Sequence, residues 1–228
     1  IVIHGNTLEE LPNLVGAGIK YDRVFLDIPY NLAGQKGGNR NLANYDLIEP
    51  EDFKQLLKHI VECLKNKHSQ LYFMIAGGRS SYAKALKYIS AFDETDLKLA
   101  GKGSYTKLTS SGTVCNMGKY PMPPEIILVY SQTGMLLKDN TLLDFSLKRP
   151  PLPISGGYPT EKPAELISQI IEQSTYKGDL ILDPFGGSGV VMQEALKLKR
   201  KVHTIDISEV SINNFILPKL ERSSEWNI

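Results

Sequence analysis

The sequence predicts an α/β fold built around a mostly parallel sheet. Short apolar runs that end in polar or glycine-rich turns alternate with amphipathic helical segments along most of the chain. Val24 to Leu26, Leu71 to Ile75 and Leu180 to Leu182 are typical of buried parallel strands, because they are almost continuously apolar. The 228 residues suffice for one sizeable core, so we expect a single domain over residues 1–228.

The first half of the chain predicts two strands, a loop and a helix. Ile1 to Ile3 ends at Gly5, and Val24 to Leu26 ends at a polar turn. Residues 32–49 are rich in Gly, Asn and Lys and predict a loop. Pro50 then opens a helix with apolar residues at three- and four-residue spacing, which predicts that one face lies on the sheet.

The second half repeats the alternation. Glu125 to Ser131 is strand-like, and Thr160 is a candidate cap for a helix carrying Leu166, Ile167, Ile170 and Ile171 on one face. Leu180 to Leu182 is followed by a glycine-rich turn, a second helix and a strand from Val202 to Ile207.

Composition is that of an ordinary globular protein, with 42% hydrophobic and 22% charged residues and a net charge of +1. No apolar run is long enough to cross a bilayer, and no basic leader precedes an apolar segment, so we expect a cytoplasmic protein without a membrane partner. Two cysteines cannot form a disulfide framework, and no His or Cys pair has metal-ligand spacing. We therefore expect no structural metal.

A glycine turn stands directly between the strand Leu180 to Leu182 and the following helix. Its sequence is Asp183-Pro184-Phe185-Gly186-Gly187-Ser188-Gly189, and such a turn lets backbone approach a nucleotide-like cofactor closely. Met192 stands where a dinucleotide fingerprint needs glycine, so NAD is disfavoured. The GxxxxGK[ST] phosphate loop is absent from the sequence as well.

Asp206 closes the next strand, where an acidic side chain can accept hydrogen bonds from ribose hydroxyls. Together with Asp183, it suits an adenosine that carries a cationic tail.

Asp27-Ile28-Pro29-Tyr30 offers a carboxylate, carbonyl groups and an aromatic ring at a strand end. An exocyclic amine is a poor nucleophile because its lone pair is delocalised, so a catalyst must accept hydrogen bonds from it and aim the lone pair. Asp27 is suited to that role, and Tyr30 is suited to stacking on a base that has left the duplex.

These segments resemble the permuted β class of DNA amino-methyltransferases, in which the catalytic motif precedes the cofactor motif. Asp27 to Tyr30 is similar to the family's (D/S)PPY motif, and Asp183 to Gly189 is similar to its DPFxGSG loop. Tyr158 to Pro163 resembles the HPTxKP segment, and its position fixes the motif order.

The resemblance implies a Rossmann-like methyltransferase fold with a seven-stranded, mostly parallel sheet and one antiparallel strand. It implies S-adenosyl-L-methionine as cofactor, double-stranded DNA as substrate, and a cognate restriction enzyme as a candidate partner. The catalytic residues it implies are Asp27, Pro29 and Tyr30 within the motif 27–31. The cofactor residues it implies, mostly within segment 158–208, are Asn6, Asp27, Thr160, Lys162, Asp183, Phe185, Gly187, Ser188, Gly189 and Asp206.

The family places target recognition in residues 134–157, which form a short insert here. An insert of this size offers few contacts to bases, so we expect a homodimer or a partner subunit to supply more surface.

Asp27 favours adenine N6 methylation, and cytosine N4 methylation remains the alternative. Cytosine C5 chemistry is disfavoured because neither Cys63 nor Cys115 lies in a Pro-Cys setting. RNA or protein amides are disfavoured by the permuted motif order. Ile28 replaces a proline of the family motif and Asn6 replaces an acid, which leaves a catalytically impaired binding subunit as a further alternative.

Overall fold

The computed structural model describes residues 1–28, 48–75, 85–117, 120–136, 144–148, 157–158 and 160–223. Their strands form one large sheet and one small two-stranded sheet. The large sheet contains β1 (Val2–His4), β2 (Arg23–Leu26), β3 (Gln70–Ile75), β4 (Lys98–Leu108), β7 (Glu125–Ser131), β8 (Asp144–Lys148), β9 (Leu180–Asp183) and β10 (Lys201–Asp206). The small sheet pairs β5 (Asn116–Met117) with β6 (Tyr120–Pro121).

The principal helices are α1 (Thr7–Gly16), α2 (Pro50–Cys63), α3 (Ala164–Ser174) and α4 (Val190–Lys197). Residues 85–89 are helical and lead into a 3₁₀ turn, Ser90–Glu94. The last helix, α5, consists of Glu209–Ser211 and Leu217–Ser223 joined by a π-helical turn, Ile212–Ile216. In the part of the chain that the structure describes, no helix is long and apolar enough to cross a bilayer.

Local sequence explains where two of these helices begin. Pro50 occupies the first turn of α2 as predicted, where its missing N–H is harmless. The predicted cap at Thr160 is wrong, because α3 begins at Ala164 after Pro163. The residue before a proline is pushed out of the helical region, so Lys162 cannot belong to the helix.

The strand order β1-β10-β9-β2-β3-β7-β4-β8 confirms the predicted fold class. The first five strands in this order are parallel, and β7 runs antiparallel to both of its neighbours. An eighth strand, β8, adds to β4 in parallel. It uses five positions of the predicted insert 134–157.

Two apolar clusters cover the two faces of the sheet. Alternate residues of β2 point into different clusters. Val24 and Leu26 pack with α1 and α2, whereas Phe25 packs with α3 and α4. Helices therefore flank both faces, and polar side chains at the ends of the strands are the ones left to form a site.

The sheet topology brings distant residues to one edge. Asp27, Asp183 and Asp206 all lie at or just beyond the carboxyl end of a parallel strand. Because β7 is antiparallel, its first residue, Glu125, lies at this same edge, opposite Tyr105 of β4. Pro29, Tyr30 and most of the predicted loop and insert lie outside the described residues.

Candidate active site

The glycine turn after β9 is closely fitted to β10. Gly186 N donates to Ile205 O at 2.8 Å, and Gly187 N donates to Asp206 Oδ2 at 2.6 Å. A side chain at Gly186 would place its Cβ 2.4 Å from Thr204 Cγ2, so no other residue fits there without movement. Gly187 has a φ of +49°, a conformation that favours glycine. The loop thus presents backbone at the carboxyl edge.

Asp206 holds this loop in place. Besides Gly187 N, its carboxylate accepts from Ser208 N at 2.8 Å, and Gly5 N donates to its main-chain oxygen at 3.0 Å. Burial raises the pKa of Asp206, while the hydrogen bonds from Ser208 and Gly187 act in the opposite direction. Each carboxylate oxygen keeps lone-pair capacity for a further donor such as a hydroxyl.

Asp183 is the least compensated charge at the edge. Its side chain is buried, and Oδ2 has no hydrogen-bond partner among the described residues. Burial and then the nearby Asp206 and Asp27 carboxylates raise the pKa of Asp183 well above its usual value, although Phe185 N donates to it. A buried carboxyl beside two others is a site for a cation.

Asp27 is compensated by a lysine. Lys162 Nζ lies 2.7 Å from Asp27 Oδ2 and 3.3 Å from Glu125 Oε2, and Glu125 Oε1 also pairs with Lys107. Burial lowers the pKa of Lys162, but the two carboxylates more than offset this and leave it raised. Burial likewise acts to raise the pKa of Glu125, yet Lys162 and Lys107 hold it below its usual value.

One oxygen of Asp27 remains unused. Oδ1 is shielded from solvent and has no hydrogen-bond partner in the described ranges. Burial raises the pKa of Asp27 even though Lys162 opposes this effect. The side chain as a whole is nevertheless 28% exposed.

The other residues predicted from the sequence occupy varied positions. The side-chain oxygen of Asn6 accepts from Leu8 N at 3.1 Å and so caps α1. Ser188 is buried, Phe185 is half-buried against the core, and Thr160 is exposed. The catalytic predictions at Pro29 and Tyr30 lie outside the described residues.

One contact joins the start of α1 to the glycine turn. Thr7 Oγ1, which directly follows the Asn6 cap, donates to Pro184 O. The first turn of α1 is thereby held against the loop that follows β9.

Sequence reasoning missed Lys107 and Glu125 as members of this site. In the sequence Lys107 is one of several basic residues in its region, and Glu125 is simply the first residue of a predicted strand. The available signal was an acidic residue at the first position of a strand that is otherwise apolar, Glu125 to Tyr130. The role of Glu125 could be recognised only once β7 was known to run antiparallel to β3.

Known DNA methylases are similar to this chain in sequence. The family model for N6/N4 DNA methylases matches residues 140–216. The DNA adenine methyltransferase YhdJ of Escherichia coli strain K12 is 24% identical over 91% of this chain and 78% of its own length. This chain is therefore similar to DNA methylases in sequence.

Solved structures of DNA methylases share the fold. The structure of the M1.HpyAVI-SAM complex has a TM-score of 0.71 at 17% identity, covering 96% of this chain and 98% of that one. The PvuII DNA methyltransferase, named as cytosine-N4-specific, has a TM-score of 0.67 at 18% identity, covering 99% and 91%. Proteins named for adenine and for cytosine N4 thus both resemble this chain, and the likeness leaves the base open.

Proposed function

We propose that this protein is an S-adenosyl-L-methionine-dependent DNA methyltransferase that modifies adenine N6. The observation that carries the proposal is Asp27 Oδ1, a buried carboxylate oxygen without a hydrogen-bond partner in the described ranges, whose sister oxygen is held by Lys162. An acceptor fixed in this way is suited to one N–H of a flipped base.

The residues of the carboxyl edge fit the proposed cofactor. Asp183 supplies a buried carboxylate oxygen without a hydrogen-bond partner among the described residues for a cation, and the half-buried turn at Gly187 has no side chain to keep a nucleoside from its backbone. Asp206 is our candidate acceptor for the ribose hydroxyls, and Asn6 for the adenine. The M1.HpyAVI complex named above is with SAM, which agrees with this assignment. The other residues of the proposed cofactor site are Thr160, Lys162, Phe185, Ser188 and Gly189.

When bound, the cofactor supplies an electrophilic methyl group on a cationic sulfur. The protein's part is to orient the amine. Asp27 Oδ1 accepts a hydrogen bond from the target N–H, which draws the nitrogen lone pair out of conjugation. It receives the amine proton as the N–C bond forms and the bond between the methyl group and sulfur breaks, which would leave a neutral thioether. Lys162 keeps the other oxygen from competing. From the sequence motif, Pro29 is proposed to aim its carbonyl at the amine and Tyr30 to stack on the base.

Cofactor choice is testable by calorimetry. We expect binding of S-adenosylmethionine and no binding of NAD. Asp206→Ala is expected to weaken the binding by tenfold or more, since a hydrogen bond to a charged group contributes roughly 1.5–3 kcal/mol. Glu209→Ala, an exposed change three residues away, is the matched control. Binding of NAD alone would overturn the cofactor assignment.

Base identity is decided by product analysis. The protein is incubated with isotopically labelled S-adenosylmethionine and unmodified DNA, and the labelled nucleoside is identified by mass spectrometry. We expect N6-methyldeoxyadenosine. Labelled N4-methyldeoxycytidine would transfer the proposal to the second base, and cofactor binding without any labelled nucleoside would favour the impaired subunit.

We further propose that a second copy or a partner subunit contributes to DNA recognition. Five of the positions in the short insert 134–157 form β8 and pair with β4, so fewer remain for reading bases. We expect light scattering to show a dimer in the DNA-bound state and specific activity to fall on dilution. A monomer that methylates a defined multi-base site at full specific activity when dilute rules this out.

A further inference from the structure

Four charged side chains, one of them the proposed catalytic Asp27, are connected by successive ion pairs, and this series is called the line below. In order they are Asp27, Lys162, Glu125 and Lys107, and each contacts the next. They come from four separate parts of the fold, namely the end of β2, the segment before α3, the start of β7 and the strand β4. Acidic and basic groups alternate, so the four formal charges cancel.

We propose that Glu125 is a positioning residue for methyl transfer, which with Lys107 fixes the Lys162 ammonium against Asp27 Oδ2 so that Oδ1 alone meets the target amine. This inference rests on the proposed function of Asp27. Glu125 acts through Lys162, which forms an ion pair with both carboxylates.

The need for a positioning residue follows from the nature of lysine. Its ammonium group sits on a flexible four-carbon stem with three rotatable donors, so one carboxylate does not define its place. In this site Lys162 is 7% exposed, and its Nζ contacts two carboxylates, Asp27 Oδ2 at 2.7 Å and Glu125 Oε2 at 3.3 Å. Removing one of them allows the ammonium to shift relative to Asp27.

A shift of this kind matters because the Asp27 carboxylate has two equivalent oxygens. With Lys162 held on Oδ2, only Oδ1 is available, and the direction of the accepted hydrogen bond is defined. A displacement of about 1 Å in a catalytic group can lower the rate about 100-fold. Glu125 therefore influences turnover without touching the substrate.

The charges that face Asp27 give the proposal a second, electrostatic readout. Lys162 and Lys107 lower the pKa of Asp27, Glu125 raises it, and Asp183 lies near it at the end of β9. Neutralising Glu125 is therefore expected to lower the pKa of Asp27, and neutralising Lys162 to raise it. Because Asp27 must be ionised to accept the amine hydrogen bond, these changes move the acid limb of the kcat profile in opposite directions.

The test compares Glu125→Gln with Lys162→Met across pH, using DNA and saturating S-adenosylmethionine. We expect Glu125→Gln to lower the plateau kcat by on the order of tenfold, to leave KM for the cofactor within about twofold, and to move the acid limb to lower pH. Lys162→Met is expected to move the limb to higher pH. Glu125→Asp, which keeps the charge but shortens the reach, is expected to lower kcat with the limb nearly unmoved.

Glu165→Gln serves as the matched control, because Glu165 is an exposed glutamate in the first turn of α3. It is expected to leave kcat, KM and the acid limb unchanged. Where Glu125→Gln does not fold, as judged by circular dichroism, Lys107→Met replaces it, since Lys107 is 29% exposed and lies at the outer end of the line. Loss of Lys107 is expected to move the limb to higher pH.

Two results separate this inference from the proposed function. A wild-type protein that methylates no DNA contradicts the proposed function before any variant is considered. An active wild type with a folded Glu125→Gln variant that keeps the wild-type kcat and acid limb overturns the positioning role of Glu125 alone. A variant that loses only thermal stability, with both kinetic readouts unchanged, also overturns it.

Discussion

Asp27→Ala is expected to lower kcat for methyl transfer by at least about 100-fold, the usual effect of removing one group that stabilises the transition state. The variant loses the carboxylate proposed to accept the amine hydrogen bond, whose Oδ1 is buried and has no hydrogen-bond partner among the described residues. Cofactor affinity is expected to change by less than about threefold, because the carboxylate is assigned to the base. Single-turnover methylation and calorimetry measure the two effects separately.

Folding of this variant is expected to survive, because Lys162 keeps Glu125 as a partner at 3.3 Å. The paired lysine then avoids most of the penalty of an isolated buried charge. The control is Asp93→Ala, which removes an exposed carboxylate in the 3₁₀ turn Ser90–Glu94, outside the proposed site. Retention of most of the turnover by Asp27→Ala would remove this residue from the mechanism.

The core sheet was predictable because its strands carry a strong local signal. Val24 to Leu26, Leu71 to Ile75 and Leu180 to Leu182 are apolar on both faces, as expected for strands covered by helices on both sides. In contrast, β4 contains two glycines and several half-exposed positions, so its sequence resembles a loop. The edge strand β8 lacks a clear pattern as well, so the sequence alone does not separate it from the insert around it.

The site was predictable only in part. Residues within one motif, such as Asp183 and the glycine turn, could be grouped because they are adjacent in sequence. The contact of Lys162 with Glu125 joins positions that are far apart in the chain and depends on the reversed direction of β7. No local pattern in the sequence encodes that pairing, so Lys107 and Glu125 emerged only from the fold.

Charge is balanced unevenly across the carboxyl edge. Asp27 and Glu125 contact lysines, and Asp206 accepts two backbone N–H groups. Phe185 N donates to Asp183, but Asp183 Oδ2 has no partner among the described residues, and the Asp206 and Asp27 carboxylates lie near this group. Ionised Asp183 is therefore expected to lower the stability of the cofactor-free protein, and a bound cation is expected to relieve the repulsion between the carboxylates.

Asp183→Asn is accordingly expected to stabilise the cofactor-free protein at neutral pH and to weaken cofactor binding. The pKa of Asp183 is raised in the folded state, so its contribution to stability is fully present below the unfolded pKa of about 3.8. That contribution is lost as pH rises through the folded pKa. Every tenfold difference in proton affinity between the folded and unfolded states corresponds to about 1.4 kcal/mol of stability. Asparagine removes this loss, while its side-chain oxygen can still accept from Phe185 N.

Thermal unfolding between pH 4 and pH 8 measures the effect, with and without S-adenosylmethionine. Without cofactor, the melting temperature of Asp183→Asn minus that of the wild type is expected to be smallest near pH 4 and to grow as pH rises. With saturating cofactor, the difference is expected to narrow or reverse, because the wild-type carboxylate gains a cation and the amide does not.

Asp179→Asn controls for the loss of a negative charge next to the same strand, because Asp179 is a half-buried carboxyl just before the amino end of β9. Its Oδ2 accepts from Tyr176 N at 2.9 Å, a hydrogen bond that an amide oxygen can keep. For Asp179→Asn, we expect the melting temperature relative to the wild type to show no increase with pH comparable to that of Asp183→Asn. A cofactor-free Asp183→Asn variant that is less stable than the wild type at pH 7 would show that Asp183 is compensated in the absence of a cation, and the assignment of a cation site to this carboxylate would fail.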